Sequence, residues 1–185
     1  MTTDDCPATR GSLIAIGGLS GTGKSRLAQA LGALIAVERT VLVLRSDVER
    51  KTLFGVAETA RLGPEGYTQA VTQRVYAQVA AKASAALAAH TCVIVDAVFS
   101  KLAERDAIEQ VALHQGCGFH GLWLSAGTGA LRDRVAARRD DASDATPDIV
   151  DHQSGYDLGP IRWYRIDAGG TVADTLAHAC AALKG

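Results

Sequence analysis

The chain has 185 residues and a formal net charge of −1. This balance predicts no binding to duplex nucleic acid and no attraction to a membrane surface, because both depend on clustered basic residues. Apolar residues make up 48% and charged residues 21%, which is typical of a globular domain with a sizeable core. The polar start does not resemble a signal peptide, and no apolar run could span a bilayer. We expect one cytoplasmic domain over residues 1–185.

Five short apolar runs predict the strands of a buried parallel sheet. They are residues 12–18, 40–44, 92–98, 119–124 and 162–167. Their near-continuous apolarity is typical of strands that are covered on both faces. Helical patterns lie between them, at residues 24–36, 65–89, 101–115, 129–139 and 172–184. This alternation predicts a three-layer α/β fold with helices on both faces of the sheet.

The segment 139–160 interrupts the alternation. It is polar and acidic, and it lies between a helical pattern and the last apolar run. One interpretation is a solvated surface loop. The other is a mobile lid over a binding site, since closing loops are often found as insertions of this kind.

A stretch that reads GLSGTGKS predicts a phosphate-binding loop. It fits the pattern G-x-x-x-x-G-K-[ST] and lies between a predicted strand and a predicted helix, as a P-loop requires. Its glycines let successive N–H groups point at phosphate oxygens, and the following helix adds its dipole. Lys24 would bridge the β- and γ-phosphates, and Ser25 would bind Mg²⁺. The predicted ATP-binding residues of the loop are Gly18, Leu19, Ser20, Gly21, Thr22, Gly23, Lys24 and Ser25.

Asp96 ends the apolar run CVIVD and is the second candidate for the magnesium site. A carboxylate at the carboxyl end of a central strand can hold the metal beside the P-loop serine. The alternative is a strand-end aspartate that only stabilises a turn. Guanine is disfavoured as the base, because GTPases select it with an Asn-Lys-x-Asp element and the sequence has no asparagine.

Asp47 lies in the stretch RSDVERK, where a strand gives way to a helix. It is either an acidic residue of a first helical turn, which the helix dipole favours, or a general base. Ser46 and Glu49 have the S-x-x-E spacing of a capping box, which predicts that Ser46 caps the helix. The capping box would then aim Asp47 at the cleft, so the two interpretations are compatible.

Arg134 and Arg138 lie four residues apart and therefore on one face of a predicted helix before the lid. A kinase needs cations on the far side of the transferred phosphoryl group, and lid arginines can supply them. The alternative is a solvated helix end with internal salt bridges. The spacing resembles the L-x-x-R-x-x-x-R segment of adenylate-kinase-like enzymes. That resemblance implies Arg134 against the adenine and Arg138 at the phosphates, with Arg139 as the other candidate for the lid arginine.

Four motifs in order, GGLSGTGKS, LRSDVERK, VIVDAVFSK and RRDDASDAT, resemble a bacterial family of predicted kinases with an AAA-type ATP-binding domain. That family is related to polynucleotide kinase, chloramphenicol phosphotransferase, gluconate kinase and zeta toxins. The resemblance implies a P-loop NTPase fold with a five-stranded parallel sheet in the order 2-3-1-4-5. It also implies Asp47 as general base and Arg50 as a substrate-binding residue. The domain is often fused to a phosphotransferase-like domain in this family, so a separate partner of that type is possible.

These features together predict a Mg²⁺-dependent kinase that transfers the γ-phosphate of ATP to a hydroxyl of a small-molecule acceptor. The catalytic residues would be Lys24, Asp47 and Arg138. A polynucleotide or nucleotide kinase is the alternative among enzymes, although few aromatic residues are present to stack single-stranded bases. An ATP-binding regulatory or toxin-like module without an ordinary metabolic substrate is the alternative of a different class.

Overall fold

A computed structural model describes residues 11–137 and 141–184 of the chain, and in them five strands alternate with seven α-helices. The strands are β1 (Ser12–Gly17), β2 (Val41–Arg45), β3 (Cys92–Asp96), β4 (Gly118–Ser125) and β5 (Tyr164–Asp167). The helices are α1 (Lys24–Ile35), α2 (Ser46–Leu53), α3 (Gln69–Ala88), α4 (Leu102–His114), α5 (Thr128–Ala136), α6 (Pro147–Ser154) and α7 (Val172–Ala182). A short 3₁₀ helix, Pro64–Tyr67, precedes α3.

The five strands form one parallel sheet in the order β2-β3-β1-β4-β5, which confirms the order that the family resemblance implied. Strand β1 is central, with Ile16 beside Asp96 of β3 and Gly17 beside Trp123 of β4. All residues of β1 and β3 are buried, whereas the edge strands β2 and β5 are partly exposed. The apolar runs therefore mark strands but do not separate central from edge strands, since the edge strand β2 also comes from such a run.

Each face of the sheet carries its own hydrophobic core, because side chains alternate along a strand. Leu13 and Ala15 of β1 pack on the side of α3 and α4, with Val75 and Val79 of α3. The intervening Ile14 and Ile16 pack on the other side, against residues of α1 and α7. The three-layer architecture follows directly from this alternation.

Glycine at position 121 lets Trp163 approach the sheet. A Cβ atom placed on Gly121 would lie 2.3 Å from Cγ of Trp163, far inside the contact distance. The indole ring also makes an edge contact with Phe99, with 5.1 Å between the ring centroids. The aromatic cluster thereby ties the segment before β5 to the core under α3 and α4.

Part of the polar segment 139–160 is helical, which the sequence patterns did not predict. Helix α6 begins after Thr146, whose hydroxyl accepts a hydrogen bond from the Ile149 amide, and Pro147 occupies its first turn. Val150 is fully buried with Leu131 and Val135 of α5. A Thr-Pro-Asp start was the available signal, but the helix that follows Thr146 has only eight residues. In the part of the chain that the structure describes, no helix is long and apolar enough to cross a membrane.

Candidate active site

A cleft of about 1040 Å³ lies at the carboxyl ends of the parallel strands. The phosphate loop, the β2–α2 corner, the end of β3 and residues 141–156 line it. Ligands bind at this edge in open α/β sheets, because strand ends and helix N-termini converge there. Most of the residues expected to bind ATP, metal and acceptor therefore share one cavity. Gly18 and Leu19 do not line it, and Arg138 lies outside the described residues.

The glycines of the phosphate loop adopt backbone conformations that other residues rarely adopt. Gly21 and Gly23 have φ angles of 86° and 91°. A Cβ atom on Gly21 would also lie 2.6 Å from the carbonyl oxygen of Leu131 in α5. Glycine at position 21 thus permits both the left-handed turn and the close contact with α5.

Lys24 and Ser25 begin helix α1 directly after this turn. The Nζ atom of Lys24 donates a hydrogen bond to the carbonyl oxygen of Leu19, at 3.0 Å, so its ammonium lies across the loop. The hydroxyl of Thr22 donates to the same oxygen at 2.8 Å. These two hydrogen bonds stabilise the loop and place the Lys24 ammonium beside it, where phosphate binding requires a cation.

Ser25 and Asp96 meet as the magnesium hypothesis requires. The Ser25 hydroxyl donates a hydrogen bond to Oδ2 of Asp96 at 2.6 Å, and Nε of Arg45 lies 3.5 Å from the same oxygen. No group of three or more His, Cys, Asp or Glu side chains able to hold a metal occurs within residues 11–137 and 141–184. A hydroxyl and one carboxylate fit Mg²⁺, which takes few protein ligands and keeps waters and substrate phosphate oxygens.

The expected capping box is absent, so the hypothesis that Ser46 caps α2 is wrong. Ser46 is the first helical residue, Arg45 occupies the cap position, and no side chain caps the helix. Glu49 instead accepts hydrogen bonds from Gln78 and Lys82 of α3, at 2.6 and 2.9 Å. These contacts draw its carboxylate away from the helix start, so spacing along the sequence did not determine its partner.

Asp47 is the second residue of α2 and lines the cleft. Burial is the main cause that raises the pKa of Asp47 above its ordinary value, and the carboxylate of Asp96 acts in the same direction. The Lys24 ammonium, a hydrogen bond with Ser143 and the Arg50 guanidinium act against this rise in pKa. A carboxylate with a raised pKa is a stronger base than an exposed one, and this one is within electrostatic reach of the phosphate-binding lysine.

Arg50 is 6% exposed and lies farther along α2, also on the cleft. Its Nη1 atom donates a hydrogen bond to the carbonyl oxygen of Gly66 at 2.7 Å. The guanidinium carbon lies 4.8 Å from the centre of the Tyr67 ring, a cation–π distance. Its Nε atom has no hydrogen-bond partner among the described residues. The side chain is therefore held from two sides in one orientation.

Residues 141–144, from the motif DASD, contact the β2–α2 corner. Asp141 accepts a hydrogen bond from Arg45 at 2.8 Å, and Asp144 forms a buried ion pair with Lys51. Sequence reasoning assigned no role to Lys51 or Asp144. Both lie in motifs that support the family resemblance, but no spacing rule relates positions 93 residues apart.

Arg134 lies at the opposite end of the cleft. Its guanidinium donates hydrogen bonds to the carbonyl oxygens of Ala168, Gly169 and Gly170, at 2.7, 3.3 and 3.1 Å, in the turn between β5 and α7. This binding holds Arg134 at the cleft wall, and its contact with adenine stays a prediction. Arg138 and Arg139 lie outside the described residues.

Several solved structures share this fold. A gluconokinase from Sinorhizobium meliloti 1021 has a TM-score of 0.64 and 21% identity, with 94% of this chain and 91% of that chain covered. The Mycobacterium tuberculosis APS kinase CysC, in complex with AMPPNP and APS, has a TM-score of 0.72 and 20% identity, with 95% and 99% covered. A sugar kinase from Janibacter sp. HTCC2649 has a TM-score of 0.64 and 15% identity, with 94% of each chain covered.

No curated protein matches the chain significantly in sequence. A family model described as an AAA domain matches residues 13–156, a span that contains the phosphate loop, Asp47, Asp96 and Asp144. The sheet order and the kinase structures of the same fold agree with this match. The chain therefore belongs to the AAA_33 family of P-loop kinases.

Proposed function

We propose that the chain is an ATP-dependent kinase that phosphorylates a hydroxyl group of a small-molecule acceptor. The observation that carries the proposal is the position of Asp47 in the cleft, with a raised pKa and under the electrostatic influence of Lys24. A protein that only bound ATP would need Asp96 for the metal, but no second carboxylate in the cleft near Lys24. Burial of an acidic group costs stability and is characteristic of functional sites.

In the proposed reaction, the acceptor hydroxyl oxygen attacks the γ-phosphorus of ATP. Asp47 accepts the hydroxyl proton, and the bond from the γ-phosphorus to the β–γ bridging oxygen breaks to leave ADP. The Lys24 ammonium stabilises the negative charge that spreads over the transferred phosphoryl group. Mg²⁺, when bound by Ser25 and Asp96, would neutralise charge on the β- and γ-phosphates.

The fold relatives suggest which acceptors to test first. They are described as a gluconokinase, a sugar kinase and an APS kinase, so their names point to acceptors that differ in charge. A transfer screen with radiolabelled ATP over sugars, sugar acids, nucleosides, adenylyl sulfate and hydroxylated antibiotics covers this range. Steady Mg²⁺-dependent transfer to a defined hydroxyl supports the proposal. ATP binding with neither hydrolysis nor transfer would favour the regulatory or toxin-like module.

Replacing the phosphate-loop lysine tests the ATP site directly. Lys24→Ala should reduce transfer by at least ~10³-fold, because the ammonium stabilises the charge that develops in the transition state. The fold should persist, since Lys24 is partly exposed at the first position of α1 and does not belong to the hydrophobic core. Initial rates and circular dichroism measure the two effects.

The matched control for Lys24→Ala is Lys82→Ala, which removes a 45% exposed ammonium from α3 outside the cleft. The control should retain the native transfer rate. Normal turnover by Lys24→Ala would contradict the assignment of the phosphate loop.

A further inference from the structure

Asp144 connects its own segment to helix α2 and to residues 62–67. Its Oδ2 atom accepts hydrogen bonds from the Tyr67 hydroxyl, at 2.5 Å, and from the Leu62 amide, at 3.1 Å, and it pairs with Nζ of Lys51. Burial acts to raise the pKa of Asp144, but hydrogen bonds from Lys51 and Tyr67 outweigh it and lower the pKa. The ionised carboxylate is therefore the form that this site stabilises.

The burial of Lys51, the ion-pair partner of Asp144, makes the contact between these two residues specific. Lys51 is 1% exposed, so its ammonium has lost nearly all of its hydration and depends on Asp144 for compensation. An isolated charge at such a site would be strongly unfavourable. Residues 141–144 consequently have one well-defined docked position on α2.

The contact with Tyr67 extends to the arginine that we assign to the acceptor. The Tyr67 ring lies against the Arg50 guanidinium, and Gly66, the residue before it, accepts a hydrogen bond from Arg50. We call Arg50 and residues 62–67 the acceptor wall. Asp144 holds this wall through the Tyr67 hydroxyl and the Leu62 amide without contacting Arg50 itself.

The segment that contains Asp144 continues to Gln153, which contacts the phosphate loop. The side chain of Gln153 in α6 is 8% exposed, and its Oε1 atom accepts a hydrogen bond from the Ser20 amide at 2.8 Å. An N–H donor requires an oxygen acceptor, so the geometry assigns the amide orientation and leaves Nε2 for another partner. No described residue accepts a hydrogen bond from Nε2, and Gln153 lines the cleft.

Helix α6 makes up most of the segment between these two ends. Helix α6 has a hydrogen-bonded Thr146 cap, and its Val150 is buried against α5. A displacement of the phosphate loop at Ser20 would therefore move Gln153 and α6 together. Asp144 lies two residues before the Thr146 cap, so a motion of α6 would reach it through Ala145.

We propose that Gln153 and Asp144 are positioning residues that make residues 141–153 a connector, through which a nucleotide in the phosphate loop orders the acceptor wall. The proposal rests on the proposed kinase function, because it assumes that the wall receives the acceptor. Its consequence is that ATP prepares the acceptor site before the acceptor binds.

Amide hydrogen exchange of the full chain, with and without Mg²⁺ and AMPPNP, tests the proposal. In the native chain the nucleotide should slow exchange at residues 18–25 and also at residues 62–67. Tyr67→Phe keeps the ring against Arg50 but removes the hydroxyl contact with Asp144. Gln153→Met keeps similar volume but removes the acceptor for Ser20. In both variants protection at 62–67 should fall by about fivefold, the value of one hydrogen bond, with residues 18–25 still protected.

Asp148→Asn is the matched control, because it removes an exposed carboxylate of the same segment that does not line the cleft. It should respond to AMPPNP as the native chain does. Native-like protection of residues 62–67 in both Tyr67→Phe and Gln153→Met, or no response there in the native chain, would overturn the connector. No protection of residues 18–25 in the native chain would instead overturn the kinase function.

A kinetic measurement separates positioning from a general structural role. With an acceptor from the transfer screen, Tyr67→Phe should raise the KM for the acceptor about fivefold and leave the KM for ATP unchanged. A parallel rise in both constants would show that the variant perturbs the whole cleft and would contradict the assigned role.

Discussion

Asp47 shows how a single side chain can serve the reaction at the expense of the fold. Its raised pKa means that the folded chain binds a proton at this site more tightly than the unfolded chain does. Stability from this group is therefore present below the ordinary pKa of an aspartate and is lost as the pH rises through the raised value. Above the raised pKa the ionised carboxylate destabilises the fold, and the same property makes it a better proton acceptor.

Replacing Asp47 with asparagine should separate the effect of this carboxylate on stability from its effect on the reaction. Asp47→Asn should lower kcat by ~10²–10⁴-fold, the usual contribution of a general base, and leave ATP binding intact. The same variant should unfold at a higher temperature than the native chain at pH values above the raised pKa, because it removes the cost of a poorly hydrated charge. Transfer assays and thermal unfolding by circular dichroism measure the two changes.

The pH dependence of stability and of transfer provides the control for Asp47→Asn. The difference in stability between the variant and the native chain should shrink as the pH falls below the raised pKa, since the native carboxyl is then protonated. Transfer by the native chain should decline over the same interval. If Asp47→Asn only loses thermal stability and keeps its kcat, Asp47 is a structural residue of the first helical turn.

Among the secondary-structure elements, the two-turn helix α2 contributes many of the residues of the site. It contains Asp47, the proposed general base, and Arg50, the proposed binding residue for the acceptor substrate. It also contains Lys51, which pairs with Asp144. The position of α2 after β2 was predictable from the change in hydrophobic pattern at Ser46. Its contacts were not, because they depend on side chains of α3 and of residues 141–144, which lie far away along the chain.

The buried ion pair predicts a large loss of stability when one partner is removed. Lys51→Ala should lower the free energy of unfolding by about 3 kcal/mol, because Asp144 then keeps a buried charge without its cationic partner. Urea denaturation measures the change. Arg132→Ala breaks an ion pair with Asp151 in which both side chains are exposed, and it should cost less than about 1 kcal/mol.

A double variant distinguishes lost pairing from lost packing. Lys51→Met with Asp144→Asn removes both charges and keeps most of the volume, so much of the stability should return. If the double variant is as unstable as Lys51→Ala, the aliphatic part of Lys51, and not its charge, stabilises α2.

For the whole molecule, the reliable predictions came from local patterns. The phosphate loop between a strand and a helix, and Asp96 at the end of a buried strand, are features of continuous stretches, and the structure brings Ser25 and Asp96 together as expected. The hydrogen bond between Ser20 and Gln153 spans 133 positions and follows no periodicity. Contacts of this kind form only when the folded chain brings α6 beside the loop, and neither motif spacing nor hydrophobic periodicity indicates which side chains then meet.

The net charge of the molecule leads to a prediction about the alternative function. A chain with a net charge of −1 should bind a single-stranded oligonucleotide with a free 5′-hydroxyl only weakly, with a Kd above about 100 µM at 150 mM salt. Fluorescence anisotropy of a 12-nucleotide DNA labelled at its 3′ end, titrated in the presence of Mg²⁺ and AMPPNP, measures this. Micromolar binding that weakens steeply with salt would reveal a local basic groove, since the slope reports how many phosphates the protein neutralises. That result would favour a polynucleotide kinase over a small-molecule kinase without changing the roles of Lys24 and Asp47.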